Sequence, residues 1–331
     1  MLTAWSGVKM DIKTVINKSI RKMNKIIYTP YRFVIAIHWL LGINKRKMQD
    51  DIIIVLLKGI GDTLYGLSCV DSLYEKNINS KIIVIGNDVY RDLILDYKSV
   101  KQMIGYNALK DEYKKYECFI NSCVASLIGL RLNIFNSNPY FAYKIKKSSS
   151  SCSAIELLKK EIFGVGQEAE ITYPMVKKVG KVTSIPDFYN NSPHIVLLNP
   201  YSNSMDTMLG IYKKIAKILR QSGYIPYVNL VEGQEGIEQC EELYCSIEEL
   251  YEISKCIAGI VSVRSGILDL LVNTGIPIFA LYCNCTPKFR KIYNLNAWKG
   301  KKQAVEVIVT HNNDDEVINN FRIWMNTELN I

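Results

Sequence analysis

The chain has 331 residues and a formal net charge of +9, and 48% of its residues are hydrophobic and 22% charged. This composition is typical of a globular protein, and the length suits two α/β domains better than one. The nine cysteines are scattered and the three histidines are far apart in the sequence. Both facts argue against a disulfide scaffold and a histidine metal site, and favour reduced thiols in the cytoplasm.

The net charge is concentrated in residues 1–49, which contain ten basic residues and one acidic residue. Isoleucine and methionine recur at helical spacing from Ile12 to Ile27, with lysines mostly on the other side. An apolar run at 33–43 follows and precedes the basic cluster at 45–47. The run is shorter than the about 20 residues that span a bilayer, and it lacks a signal-peptide cleavage site.

We therefore predict that residues 1–49 form a basic amphipathic extension that binds the anionic inner face of a membrane. Two alternatives stay open: a helix packed on the protein's own domain with solvated lysines, and a chain start at Met10 instead of Met1. Nucleic acid is not an expected partner, because the basic residues are not interleaved with aromatic side chains that stack on bases.

The body of the chain begins at Asp51 with alternating strand and helix patterns. The predicted elements are a buried strand at 52–58, a turn at 59–62, a helix at 63–76, a strand at 81–86, further alternation through 93–97, a strand at 116–122 and a last stretch to Tyr143. This order predicts right-handed βαβ units. We therefore predict an N-terminal Rossmann-like domain over residues 50–185.

The same pattern restarts after a serine-rich polar stretch at 144–152 and a short helix at 154–163. The predicted elements are strands at 195–199, 225–231, 257–263 and 278–282, and helices at 209–221, at 248–258, from Ile267 and at 315–324. We predict a C-terminal Rossmann-like domain over residues 186–331, with the last helix able to pack back across the domain boundary. The carboxyl ends of two parallel sheets would then face a central cleft.

A carboxylate, Asp62, stands in the turn after the first strand. A dinucleotide fingerprint would need a third glycine at position 64, but the next glycine is Gly66. A carboxylate would also repel a pyrophosphate bound in this turn. The pair Gly61–Asp62 therefore indicates a general base presented to the cleft, with a helix N-cap as the alternative role for Asp62.

The turn Arg264-Ser265-Gly266 follows a buried strand and precedes a helix. Free backbone N–H groups and the helix dipole favour an anion there, and Arg264 adds a cation that binds phosphate in a bidentate way. We predict that these three residues bind a diphosphate; a surface salt bridge is the alternative for Arg264. Asp269 is predicted to orient Arg264 or the loop, or to complement the positive end of the helix.

Two more polar segments follow strands of the C-terminal domain. Ser202 and Ser204 are predicted to hold phosphate oxygens, and Glu232 and Glu235 to accept hydrogen bonds from ribose hydroxyls. Ordinary loop polarity is the alternative for each. The sequence contains no phosphate loop, no His-Glu-x-x-His, no Gly-x-Ser-x-Gly and no Asp-x-Asp. It therefore favours a site without a metal or cofactor, in which an arginine and a helix end neutralise a leaving group.

From about Asp51 to Tyr282 the chain resembles the two-domain GT-B glycosyltransferases, and most closely the heptosyltransferase-like family of bacterial lipopolysaccharide assembly. Members open with a hydrophobic strand, a Gly-Asp turn and a helix, which match residues 52–67. A strand with a small polar loop matches 195–204, and an Asp-Ser-Gly-x-x-His turn before Gly-x-Pro matches 264–269 and 275–277 in position.

The resemblance implies an inverting, metal-independent transfer of a sugar from a nucleotide-sugar to a hydroxyl of a lipid-linked or surface-polysaccharide acceptor. It implies that Asp62 is the catalytic base. It also implies that Ser202, Ser204, Ser265 and Gly266 lie near the donor diphosphate.

The chain departs from the family at three points. The family's aspartate is Arg264 here, its histidine is Asp269, and the Lys-Arg-Trp that often follows the phosphate loop is missing. Arg264 is expected to take the place of that lysine as the diphosphate cation. The donor sugar is therefore left open.

Three other functions stay open from the sequence. The first is a nucleotide-sugar epimerase on the same fold, which needs an acid/base pair across the cleft. The second is a non-catalytic partner in glycan assembly that retains the fold. The third is an NAD-dependent dehydrogenase with Asp88 as ribose acceptor, which the position of Asp62 disfavours.

Overall fold

A computed structural model describes residues 51–56, 59–76, 81–105, 152–163, 165–173, 176, 188–202 and 205–329. The predicted extension at 1–49, the strand predicted at 116–122, Ser204, and the polar stretch 144–152 except Cys152 lie outside these residues. Predictions about them continue to rest on the sequence.

The N-terminal unit, the described residues up to 173, contains a parallel sheet in the order β1-β2-β3. Its elements are β1 (Asp51–Val55), α1 (Ile60–Leu67), α2 (Val70–Lys76), β2 (Lys81–Gly86), a 3₁₀ turn (Asp88–Tyr90), α3 (Arg91–Leu95), β3 (Val100–Gly105), α4 (Ala154–Leu157) and a π-helical turn (Leu158–Phe163). The prediction of a βαβ order is confirmed. Strand β3 was not predicted from the sequence.

Where the sequence predicted one helix at 63–76, the structure has two, α1 and α2, because the helix is interrupted at Ser68. The Ser68 hydroxyl donates to the carbonyl of Tyr65 at 2.8 Å, and the carbonyl of Ser68 accepts from the backbone N–H of Thr172 at 2.6 Å. The carbonyl of Ser68 is therefore engaged outside the helical ladder. Helix α1 also begins earlier than predicted, so Gly61 and Asp62 lie in its first turn.

The C-terminal unit, residues 188–329, contains the larger sheet. Its elements are α5 (Phe188–Asn191), a 3₁₀ turn (Ser192–His194), β4 (Ile195–Asn199), α6 (Leu209–Gln221), β5 (Ile225–Asn229), β6 (Glu241–Leu243), α7 (Ile247–Ile253), β7 (Gly259–Val263), α8 (Gly266–Leu271), β8 (Ile278–Cys283), α9 (Pro287–Ile292), a 3₁₀ turn (Leu295–Trp298), β9 (Val305–Val309) and α10 (Asp314–Glu328). The predicted helix at 248–258 is shorter, and β6, α9 and β9 were not predicted.

All six strands of this sheet are parallel, in the order β6-β5-β4-β7-β8-β9. From β4 the chain first adds β5 and β6 on one side of the sheet and then adds β7, β8 and β9 on the other side, so the strand order reverses between β4 and β7. Such a reversal leaves a crevice at the carboxyl ends of the two strands, where open α/β sheets bind ligands. Asn199 ends β4 and Arg264 follows β7, so both lie at this crevice.

Alternate residues of the central strands enter two apolar clusters on opposite faces of the sheet. In β4, Ile195 and Leu197 pack into a cluster that continues into the N-terminal unit, while Val196 and Leu198 pack towards α6 and α10. Burial on both faces explains the uninterrupted apolar runs. Trp324 of α10 packs against Phe279 of β8. Helix α10 therefore packs on its own unit, in contrast to the return across the boundary considered above.

Candidate active site

A cleft of about 680 Å³ lies between the two units. Its walls come from the segments that follow β1, β4, β5 and β7. This volume is within the range of small-molecule sites, which is about 300–1,000 Å³. The predicted meeting of strand carboxyl ends at a central cleft is therefore present in the structure.

Asp62 lies on the wall formed by the N-terminal unit, in the first turn of α1. The N-cap of this helix is Gly59, and it has no side-chain capping bond, so Asp62 does not cap the helix. Solvent reaches the carboxylate through the cleft. The protein around it nevertheless raises its pKa, mainly by desolvation and further through the nearby Asp269 carboxylate.

Arg264 forms part of the floor of the cleft and is only 6% exposed. Its Nε donates to the carbonyl of Tyr293 at 3.0 Å. One terminal nitrogen donates to the carbonyl of Ser265 at 2.6 Å and to Asp269 at 3.0 Å; the other donates to Asp269 at 2.7 Å and to the hydroxyl of Tyr65 at 3.2 Å. A guanidinium has five N–H donors, and all five are engaged within the protein.

This geometry argues against the prediction that Arg264 binds the diphosphate directly. A phosphate oxygen would have to displace an existing acceptor in a buried network, which is costly. The alternative of a surface salt bridge is wrong, because the pair is buried. The predicted contact of Asp269 with Arg264 is present as a bidentate ion pair.

Asp269 is 1% exposed and accepts a third hydrogen bond, from the indole nitrogen of Trp298 at 2.8 Å. Burial raises the pKa of the Asp269 carboxyl, and the Arg264 guanidinium opposes that rise. Three donors around one carboxylate stabilise its ionised form. The pair is close to neutral as a whole, while the Asp269 carboxylate still contributes to the raised pKa of the nearby Asp62.

The two glycines predicted at the site, Gly61 and Gly266, lie against each other across the cleft floor. A Cβ atom added to Gly61 would be 3.0 Å from Cα of Gly266, and one added to Gly266 would be 2.8 Å from Cα of Gly61. The first turns of α1 and α8 thus approach each other at van der Waals distance. A side chain at either position would force them apart.

Ser265 and Ser202 line the wall formed by the C-terminal unit. The hydroxyl oxygen of Ser265 is buried and has no hydrogen-bond partner among the residues that the structure describes. A buried hydroxyl without a partner is destabilising, and a ligand oxygen would satisfy it. The structure therefore brings Ser202, Ser265 and Gly266 to the same cleft as Asp62, while Ser204 lies outside the described residues.

Glu232 and Glu235 are exposed and are not among the residues that line the cleft. The polar side chains at this end of the cleft belong instead to Asn229 and Gln234, with Ser246 beside them. The buried Oδ1 atom of Asn229 has no hydrogen-bond partner within the described part of the chain. The structure thus favours Asn229 over the two glutamates as a ligand contact.

Sequence reasoning missed Asn229, Tyr65 and Trp298. Asn229 was open to prediction, because it is the last residue of β5 and a polar residue at a strand carboxyl end points to this crevice. The contact of Tyr65 with Arg264 joins residues 199 positions apart. No local pattern signals such a contact.

The part of the chain that the structure describes has neither a metal-ligand cluster nor a membrane-spanning helix. The described residues contain no group of three or more His, Cys, Asp or Glu side chains arranged to hold a metal ion. Within the same residues, no helix is long and apolar enough to cross a membrane.

No protein-family model matches the sequence, and no curated protein is similar to it in sequence. Solved structures are similar over most of the chain. E. coli ADP-heptose LPS heptosyltransferase II has a TM-score of 0.57 and 13% identity, over 84% of this chain and 98% of its own. The chain has the GT-B fold.

Two further solved structures are similar to this chain over most of its length. A glycosyl transferase family 9 protein from Veillonella parvula has a TM-score of 0.57 and 10% identity, over 84% of this chain and 97% of its own. E. coli heptosyltransferase WaaC with ADP has a TM-score of 0.52 and 12% identity, over 83% of this chain and 99% of its own. The predicted fold class and the resemblance to heptosyltransferase-like proteins are confirmed at the level of the fold.

Proposed function

We propose that the protein is a glycosyltransferase that moves a sugar from a nucleotide-sugar donor to a hydroxyl group of an acceptor. The observation that carries this proposal is the cleft itself. Asp62, a carboxylate with a raised pKa, lines the same cleft as Ser265, whose buried hydroxyl has no hydrogen-bond partner among the described residues. The heptosyltransferases with the same fold bear names that state transfer of a sugar from an ADP-linked donor.

In the proposed reaction, Asp62 accepts the proton of the acceptor hydroxyl as its oxygen attacks the anomeric carbon. The bond from that carbon to the diphosphate oxygen breaks, and the nucleoside diphosphate leaves with the electron pair. A raised pKa makes Asp62 a stronger base than an ordinary aspartate. Attack from the face opposite the leaving group inverts the anomeric configuration.

In this proposal the donor diphosphate binds to the C-terminal wall, against Ser202, Ser265 and the backbone of Gly266. Ser265 contributes a hydroxyl that otherwise has no partner among the described residues. We propose that Asn229 contacts the nucleoside, as an acceptor for an N–H or O–H group. No residue of the described chain is assigned to a metal, and the sequence lacks the Asp-x-Asp signature, so the transfer is proposed to be metal-independent.

For the acceptor we propose a lipid-linked or surface-polysaccharide glycan at the inner face of a membrane. The support is the basic, amphipathic sequence of residues 1–49. Deletion of residues 2–49 should abolish cosedimentation with anionic lipid vesicles while leaving nucleotide binding intact. Undiminished vesicle binding by the truncated protein would exclude this extension as the membrane contact.

A thermal-shift screen against UDP, GDP, ADP, CMP, NAD and nucleotide-sugars tests the donor class. A ligand at 100 times its dissociation constant adds about 2.7 kcal/mol, which raises Tm by several degrees. A response to one nucleoside diphosphate and its sugar is expected. A response to NAD alone would support a dehydrogenase, and no response to any of them would support a non-catalytic partner in glycan assembly.

A further inference from the structure

The Arg264–Asp269 ion pair is a buried feature that the proposed transfer does not use. It lies under the cleft, and every N–H of Arg264 already has an acceptor in the protein. A buried ion pair contributes little to stability by itself, and its best-supported role is to fix one arrangement of the parts that it joins. Arg264 and Asp269 both belong to the C-terminal unit, and the hydrogen bonds around the pair extend from it to the N-terminal unit.

The first connection runs through Tyr65 of α1. Its hydroxyl accepts a hydrogen bond from Arg264 at 3.2 Å, and the tyrosine is buried. Tyr65 lies three residues after Asp62, almost one helical turn along the same helix. An interaction that fixes Tyr65 therefore fixes the rotation of α1 about its axis, and with it the direction of Asp62.

The second connection runs through Trp298. Its indole N–H donates to Asp269, and its ring lies 5.0 Å from the ring of Tyr65, centroid to centroid. Its backbone carbonyl accepts a hydrogen bond from the hydroxyl of Tyr173, a residue of the N-terminal unit. The backbone of Tyr293, which accepts from Nε of Arg264, completes the network on the C-terminal side.

We infer that Tyr65, Arg264, Asp269 and Trp298 form an interdomain bridge that holds the two units in contact without a ligand and positions Asp62 in the cleft. In this assignment Arg264 and Asp269 are positioning residues and do not touch the donor. The effect on Asp62 rests on the proposed function, whereas the effect on the contact between the units does not. The two parts therefore have separate tests.

The contact between the units is tested by hydrogen–deuterium exchange of the full-length protein without ligand. Tyr65→Phe removes the hydroxyl that accepts from Arg264. Tyr97→Phe is the matched control, because the buried Tyr97 hydroxyl has no hydrogen-bond partner in the described part of the chain. Exchange in peptides covering α1 and α8 should accelerate by about tenfold in Tyr65→Phe, through loss of an acceptor for a buried charged donor.

Peptides from β8, in the centre of the C-terminal sheet, should exchange at the wild-type rate in both variants. Tyr173→Phe, which removes the donor to Trp298, should give a smaller acceleration in the same two helices. Wild-type exchange of α1 and α8 in both Tyr65→Phe and Tyr173→Phe would overturn the bridge. An equal acceleration in β8 would overturn it as well, because it would indicate general destabilisation.

The positioning of Asp62 is tested with the nucleotide-sugar that the thermal-shift screen selects. Tyr65→Phe should lower kcat by about tenfold or more and leave the donor KM within about twofold, because a misplaced base affects the transition state and not donor binding. An unchanged kcat would overturn the positioning role. If the wild-type protein turns over no nucleotide-sugar, the proposed function fails, and the exchange result still decides whether the bridge exists.

Discussion

Gly61 and Gly266 are packed so closely that neither position has room for a side chain. A Cβ atom on Gly266 would lie 2.8 Å from Cα of Gly61 and 2.6 Å from Cγ2 of Ile60. These two glycines begin helices in different units, and their contact brings the Asp62 turn and the Ser265 turn to one cleft. The glycines therefore set the distance between the proposed base and the proposed diphosphate site.

Gly266→Ala should destabilise the protein by about 1–3 kcal/mol, the usual cost of an inserted methyl group in a packed contact. Gly210→Ala is the matched control, since a Cβ atom at Gly210 of α6 would meet nothing within 4 Å. This control should be neutral or slightly stabilising, because alanine is the better helix former. Denaturant unfolding of both variants measures the difference, and equal stability would contradict the close contact.

The buried ion pair gives a second prediction about stability. Arg264→Met should cost about 3–5 kcal/mol, because it leaves the Asp269 carboxylate buried without its partner. The double variant Arg264→Met/Asp269→Leu should recover more than half of that loss. Lys255→Ala breaks an exposed pair with Glu252 and should change stability by at most about 1 kcal/mol. Thermodynamic cycles from urea unfolding would contradict the account if the double variant were the least stable.

The structure also shows why the role of Arg264 was not predictable from its neighbours in the sequence. A strand end, an arginine and a helix start predict an anion site, and this local pattern is present. Ser265 and Asp269 are close in the sequence and accept three of the five guanidinium hydrogen bonds, whereas Tyr65 and Tyr293 are distant and accept the other two. Only the tertiary packing, within the C-terminal unit and against Tyr65 of the other unit, reveals that all five donors are already engaged.

The helices and strands were easier to predict from the sequence than the role of Arg264. Strand β4 and helix α6 occur at the residues predicted, because an uninterrupted buried run and a clear helical spacing leave one interpretation. The break at Ser68 was not predictable, since it depends on a backbone bond from Thr172. Local patterns thus predicted the longer elements but not β3, β6, α9 and β9, and long-range contacts determined the break at Ser68 and the role of Arg264.

The raised pKa of Asp62 predicts that this residue lowers the stability of the folded protein at neutral pH, although the proposed function needs it as a base. The folded-state pKa lies above the unfolded value, so the folded protein holds this proton more tightly and loses stability as the pH rises through the raised pKa. Asp62→Asn should therefore have a higher Tm than the wild type at neutral pH. The difference should shrink as the pH is lowered towards about 4, the ordinary pKa of an aspartate. A lower Tm for the variant at neutral pH would contradict this sign.

The proposed contact of Asn229 with the nucleoside is tested by removing the amide group of this side chain. Asn229→Ala should weaken binding of the selected nucleoside diphosphate by about tenfold, the loss of about one buried hydrogen bond. Glu232→Ala is the control, because Glu232 is exposed and does not line the cleft. Isothermal titration calorimetry measures both affinities. A larger loss for Glu232→Ala would restore the sequence-based assignment of the ribose contact.

The proposal of a catalytic base at Asp62 is tested most directly by turnover of the selected nucleotide-sugar by Asp62→Asn. Asp92→Asn is the matched control, since Asp92 is also an exposed aspartate in the first turn of a helix of the N-terminal unit, away from the cleft. We expect kcat to fall by about 10²–10⁴-fold in Asp62→Asn with nucleoside diphosphate affinity unchanged, and to stay at the wild-type value in Asp92→Asn. Wild-type turnover by Asp62→Asn would contradict the assignment of Asp62 as the base.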